Sequence, residues 1–222
     1  MSAILGTHPV PAISRKRVLG AVIAGTATIF IWGAVSHLVL MKGAGFSQLP
    51  SEDRVIAELR RSISKDGLYF FPSPDFSGHA TAEETRAWEN KFRAGPTGMI
   101  VFHQGGSASL SPRKLMVQLL ADGLAAGIAV YLALLLGVPG WQRVLTMALL
   151  GAFSALSLGI IYWNWYGFPT AFFVAQCVDM VVGWSLAGAV IAKLVPRSRM
   201  RPLAQPNAEH LGLDEKSLPT SR

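Results

Sequence analysis

Charge and cysteine are both scarce in this sequence. Of 222 residues only 15% are charged, where an ordinary soluble domain carries about a quarter. The single cysteine, Cys177, excludes any disulfide within the chain, and with it a disulfide-rich secreted module. There is no Walker loop, HExxH, GxSxG or haem-attachment CxxCH string, which counts against the common enzyme classes those motifs mark. Alternating ten-residue segments are missing too, so a membrane β-barrel is excluded. No internal repeat is evident, and the two halves lack the matched broken helices of inverted-repeat transporters.

What the chain does have is apolar length. Hydrophobic residues make up 51% of it and the mean hydropathy is +0.38, which excludes a disordered chain. Four stretches reach the roughly 20 residues that a helix needs to cross a hydrocarbon core. They run over 18–40, 114–138, 141–163 and 170–195. Each mixes Gly, Ala and Ser with Leu, Ile and Val, the composition of packed membrane helices. The expected fold is therefore an all-α membrane protein: a four-transmembrane-helix bundle with a small α/β extracytoplasmic insertion, 41–113, between the first and second spans. A rival reading makes the first span a cleaved signal peptide at Ala34-Val35-Ser36. The apolar run continues through Leu38, Val39 and Leu40, which suits an uncleaved anchor better.

Orientation follows from the short flanks, because cytoplasmic flanks collect Lys and Arg. Arg15, Lys16 and Arg17 precede the first span and Arg143 follows the second, while Lys193, Arg197, Arg199 and Arg201 end the fourth. The turn from Asn164 to Pro169 carries no charge. Both termini, 1–17 and 197–222, are thus expected in the cytoplasm of a bacterial inner membrane. Lys42, Arg113 and Lys114 dissent, but they border a 73-residue segment, and long loops translocate largely regardless of charge. Eight of the twenty basic residues lie in the cytoplasmic flanks, where anionic headgroups attract them. The net charge of +7 is therefore read as a membrane feature, and no nucleic-acid partner is expected.

Within the insertion, nine basic and eight acidic residues nearly cancel. Ser51 can cap a helix reaching about Ile63, with Val55, Ile56, Leu59 and Ile63 on one face. Thr81 and Glu84 form a capping box for a second helix ending before Gly95-Pro96, and Trp88 and Phe92 supply its apolar contact. The runs Leu68–Phe71 and Met99–Phe102 can pair as a two-stranded ribbon. Gly105-Gly106-Ser107 reads as a joint into the second span. The last 26 residues, 197–222, hold three prolines and no apolar period, and read as a disordered tail.

Ionisable groups within a span are costly and are candidates for function. Asp122 and Asp179 lie roughly 10 and 14 Å along their helices from the outer ends. Gln118, Gln176, Ser154, Ser157 and His37 fall in the same half, giving an intramembrane polar cluster. One reading is a proton-binding site built on the two aspartates with His37 at its mouth. The alternative is interhelical hydrogen bonding that only holds the helices together. The string Tyr162-Trp163-Asn164-Trp165-Tyr166-Gly167-Phe168-Pro169 reads as an aromatic belt at the interface, or else as a platform for a lipid, a quinone or another subunit. Gly123 and Gly127 make a GxxxG step, and Gly151, Ala155 and Gly159 a small-residue ridge, for contact within the chain or between copies. His79 and His103 lack metal-ligand spacing, and Cys177 reads as a packing residue. No cofactor, metal or catalytic residue is expected.

Three strings together carry a resemblance: Phe30-Ile31-Trp32-Gly33-Ala34-Val35-Ser36-His37, Gly67 to Pro72, and Tyr162 to Pro169. Over about Arg17 to Pro196 the chain resembles a group of uncharacterised bacterial inner-membrane proteins with one span, an outer insertion and three further spans. The resemblance implies topology and a bacterial setting, and no site residues. The expected function is that of a non-enzymatic accessory or scaffolding subunit of a membrane complex, in contact with the lipid bilayer and with other subunits or a second copy. The alternatives are a small proton-linked transporter using the Asp pair, and a lipid- or quinone-modifying enzyme.

Overall fold

A computed structural model describes residues 14–106 and 108–195. The N-terminal segment before Ser14, Ser107 of the proposed joint and the C-terminal tail lie outside the described residues. The chain is mostly helical with one small sheet. In order it forms α1 (Arg15–Val35) with a π-helical extension (Ser36–Leu40), α2 (Glu52–Ser62), β1 (Gly67–Phe71), α3 (Ala82–Ala94), β2 (Gly98–Phe102), α4 (Pro112–Leu136), α5 (Gly140–Tyr166) and α6 (Thr170–Leu194). α1 with its extension, α4, α5 and α6 are each long and apolar enough to cross a membrane.

Local chemistry sets the ends of these helices. Ser111 accepts a hydrogen bond from the Lys114 N–H and Pro112 occupies the first turn of α4, where a missing N–H costs nothing. Gly137 ends α4 and Gly167 ends α5, both at positive φ (57° and 69°), a conformation that only glycine adopts cheaply. α5 continues through Tyr166, so most of the aromatic string is helical and only Gly167, Phe168 and Pro169 form the turn.

The core lies at one end of the long helices. Ala21 of α1, Ala129, Val130 and Ala133 of α4, Met147 of α5, and Ile191 with Val195 at the end of α6 form one buried cluster. Small residues let the backbones approach, which matters in lipid because tails are as apolar as leucine and packing must hold the helices. A Cβ on Gly25 would lie 3.3 Å from Ile191 Cδ1, and one on Gly188 2.9 Å from Met147 Cβ. α6 packs along α5 and against α1, and α1 in turn packs on α4. Toward the other end α4 loses its cover, while α6 keeps its contacts with α1 and α5. The N-terminal residues of α4, from Pro112 to Ala121, are all exposed, and the buried residues of α5 stop at Ala155.

Arg143 departs from its role as a charged flank. It is buried, and its guanidinium donates to the Val195 carbonyl at the end of α6. A cation there complements the negative pole of that helix, so its charge is engaged in packing.

The insertion is a light structure. β1 and β2 pair antiparallel from Gly67 opposite Phe102 to Phe71 opposite Gly98. The Asp66 carboxylate closes the open end of this ribbon. It accepts from the Gln104 N–H at 2.8 Å and meets His103 Nδ1 at 3.2 Å, and these bonds hold its carboxyl below the usual range. α3 begins with the complete Thr81–Glu84 capping box. Its Trp88 donates to the Pro72 carbonyl at 3.0 Å, and Phe92 stacks on Phe70 of β1 with centroids 6.1 Å apart. Ser51 departs from expectation: it takes a left-handed conformation (φ 54°) and its side chain makes no capping bond to α2. Instead its carbonyl accepts from Arg54 and Val55. The acidic first turn and basic last turn remain to suit the helix dipole.

Candidate functional site

The polar residues of the long helices lie in the half toward the insertion, and they divide among separate seams. In the seam between α1 and α6, Asp179 is only 4% exposed. One carboxylate oxygen, Oδ2, lies 3.5 Å from His37 Nε2. The other, Oδ1, is buried with no hydrogen-bond partner among the described residues. His37 itself sits in the π-helical turn, which opens where Met41 N–H reaches back to the Ser36 carbonyl at 2.8 Å. Single π turns often occur at functional positions because they re-aim one side chain. Here the turn places the His37 ring at the carboxylate.

Trp32 fixes this seam. Its indole N–H donates to the Asp179 carbonyl at 3.1 Å, and its ring lies over Gly183, where a Cβ would come within 2.7 Å of Trp32 Cδ1. Ser36, fully buried one turn beyond Trp32, directs its hydroxyl toward Met41 Sδ at 3.6 Å. A buried carboxylate oxygen without a donor is expensive in a low-dielectric setting. The exposed His37 ring stands beside the other oxygen of the same carboxylate.

Asp122 lies on α4 with its own partner. It is buried, and Gln118 donates to its Oδ1 at 2.8 Å from one turn away. No hydrogen bond or ion pair joins Asp122 to Asp179 among the described residues. Gln118 is exposed on the bare part of α4.

A third grouping lies between α5 and α6, where a cavity of about 280 Å³ is lined by Ser154, Ala155, Leu158, Gly159 and Tyr162 from α5. From the turn and α6 come Phe168, Phe172, Phe173, Gln176 and Met180. Its walls are aromatic: Tyr162 stacks on Phe168 at 5.1 Å, and Phe168 meets Phe172 edge-on at 5.4 Å. Ser157 is exposed, and its hydroxyl donates to the Ser154 carbonyl of its own helix at 3.3 Å. Above the cavity, Asn164, Trp165, Tyr166 and Phe168 line a crevice of about 420 Å³ against Phe70, Phe92 and Met99 of the insertion. Trp163 turns elsewhere, stacking on Phe173 and donating to the Thr170 hydroxyl at 3.1 Å.

Gln176 and Asp179, three residues apart, thus serve different seams. Phe172, Phe173 and Gly183 were not singled out in the sequence, and Trp32 was named only within the string that carries the resemblance. The helical spacing of Phe172, Phe173, Gln176 and Met180, and of Ala155, Leu158, Gly159 and Tyr162, is the signal that could have joined the cavity walls. Nothing local predicts Trp32, which is 147 residues from its acceptor. Among the described residues no three His, Cys, Asp or Glu side chains come together as metal ligands would. No protein family, curated protein or solved structure matches the chain.

Proposed function

We propose that this protein is a multi-pass component of a bacterial inner membrane, a four-helix bundle with cytoplasmic termini and an extracytoplasmic insertion, acting as a non-enzymatic accessory subunit of a membrane complex. The observation that carries this reading is the one-ended core. The helices pack together where α4 turns into α5, whereas toward the insertion α4 is bare from Pro112 to Ala121 while α1, α5 and α6 stay in contact. Gln118 on that bare stretch of α4 is exposed, and although its amide nitrogen donates to Asp122, its amide oxygen has no partner among the described residues. Lipid tails cannot hydrogen-bond to such groups, whereas a neighbouring helix can. The uncharged aromatic turn and the light insertion add contact surface on the same side.

The test is a photoreactive residue placed at Leu124, which is exposed on α4. The reading predicts a crosslinked product of one discrete mass that contains a second polypeptide. Adducts with lipid alone would count against it.

A second reading, a proton-linked carrier, is favoured by the free oxygen of Asp179 beside His37. It predicts that Asp179→Asn abolishes proton-coupled flux in vesicles while the amount of folded protein is retained. Unchanged flux, or none in the wild type, removes it.

A further inference from the structure

The hydroxyls along the long helices follow a common habit in this protein. Thr26, Thr28, Thr146 and Ser185 each donate to the carbonyl four residues back, at 2.6 to 2.8 Å, which satisfies a polar group where water is absent. Ser154 does not. Its hydroxyl and the Gln176 amide make no hydrogen bond among the described residues; Ser154 is exposed and Gln176 half-buried, and both line the open-sided cavity between α5 and α6. Ser154, Gln176 and the Tyr162 phenol are thus the polar side chains of an otherwise apolar, aromatic-walled space with no charged residue in its lining. That pattern is the usual make-up of a small-molecule site: apolar walls with a few placed polar groups.

The chemistry selects among membrane-soluble ligands. A saturated acyl chain would leave the serine hydroxyl and the amide unsatisfied. An anionic phosphate headgroup would enter without a cation to meet it. A planar ring bearing carbonyl acceptors meets both demands, since it can accept from Ser154 and Gln176 and lie against Phe168, Phe172 and Phe173. The cavity volume of about 280 Å³ suits a ring of that kind, with any tail leaving through the open side.

We propose that the α5–α6 cavity binds the ring of a neutral quinone-type lipid, with Ser154 and Gln176 as its hydrogen-bond donors. The lining of this site does not include Asp179.

The test titrates full-length protein in detergent with decylubiquinone, reading tryptophan quenching, since Trp163 stacks on the cavity-lining Phe173. Decanol and decyl phosphate serve as competitors with the same tail. The expected result is saturable binding that neither competitor displaces, weakened roughly tenfold in Gln176→Leu by loss of a hydrogen bond to the ring. Ser154→Ala, which removes only an oxygen, provides the second variant and should weaken binding by a similar factor. Quenching that never saturates, or affinity unchanged in both variants, overturns the proposal. Equal displacement by decyl phosphate overturns it in favour of an anionic lipid.

Discussion

Gly151 and Gly127 offer a paired test of the helix packing, because the same substitution should act with opposite sign at the two. A Cβ added to Gly151 would overlap the Met180 carbonyl, lying 2.9 Å from its carbon and 3.1 Å from Trp184 Cβ. The obstacle is backbone, which cannot swing aside as a side chain can, so α5 and α6 must separate. Overpacking of this kind costs about 1–3 kcal/mol, partly offset by the roughly 0.5–1 kcal/mol that alanine gains over glycine in a helix. The net expectation for Gly151→Ala is a loss of about 1–2 kcal/mol. Gly127 has nothing within 4 Å of a Cβ, so Gly127→Ala should be neutral or slightly stabilising. Thermal unfolding in detergent, followed as the fraction that stays monodisperse after heating, reads both. Equal stability of Gly151→Ala and wild type would refute the reasoning, as would a loss in Gly127→Ala as large as that in Gly151→Ala.

Gly183→Ala should displace the Trp32 indole and break its bond to the Asp179 carbonyl, at a cost of about 1–3 kcal/mol in the same thermal assay. In the insertion, the lowered carboxyl of Asp66 ties stability to pH. Its contribution is fully present above the ordinary carboxylate range and is lost as pH falls through the lower folded value. The protection of the Gln104 amide, its exchange rate relative to the intrinsic rate at the same pH, should therefore fall on acidification below about pH 4, and Asp66→Ala should remove that pH dependence. Thr81→Ala breaks the capping box, so the exchange of the Glu84 amide should rise roughly fivefold while the ribbon amides are unaffected.

The elements of this protein were legible where local chemistry decides them. Length and hydropathy define the four long helices, Pro112, Gly137, Gly167 and Pro169 punctuate them, and Thr81 with Glu84 opens α3. Ser51 failed as a cap because its backbone turns left-handed and carries the side chain away from the free amides. The last turn of α5 remained helical where Tyr162 packs on Tyr166 and Phe168 and Trp163 stacks on Phe173. The pairing of seams was not legible. In lipid, inward and outward faces are equally apolar, so hydropathy does not report how each helix is rotated. Gln176 and Asp179 look like one stripe in sequence, yet a 60° rotation about the axis sends one to α5 and the other to α1. Arg143 illustrates the same limit, since only the fold brings the Val195 carbonyl to it.

The measurement that bears most directly on the accessory-subunit reading is the native mass of tagged protein extracted from its host membrane in mild detergent. The account predicts a particle well above the 23.8 kDa chain, holding at least one other polypeptide at fixed stoichiometry across preparations. A monomer, or a homodimer with no other subunit, would contradict it and turn attention to Asp179 and His37.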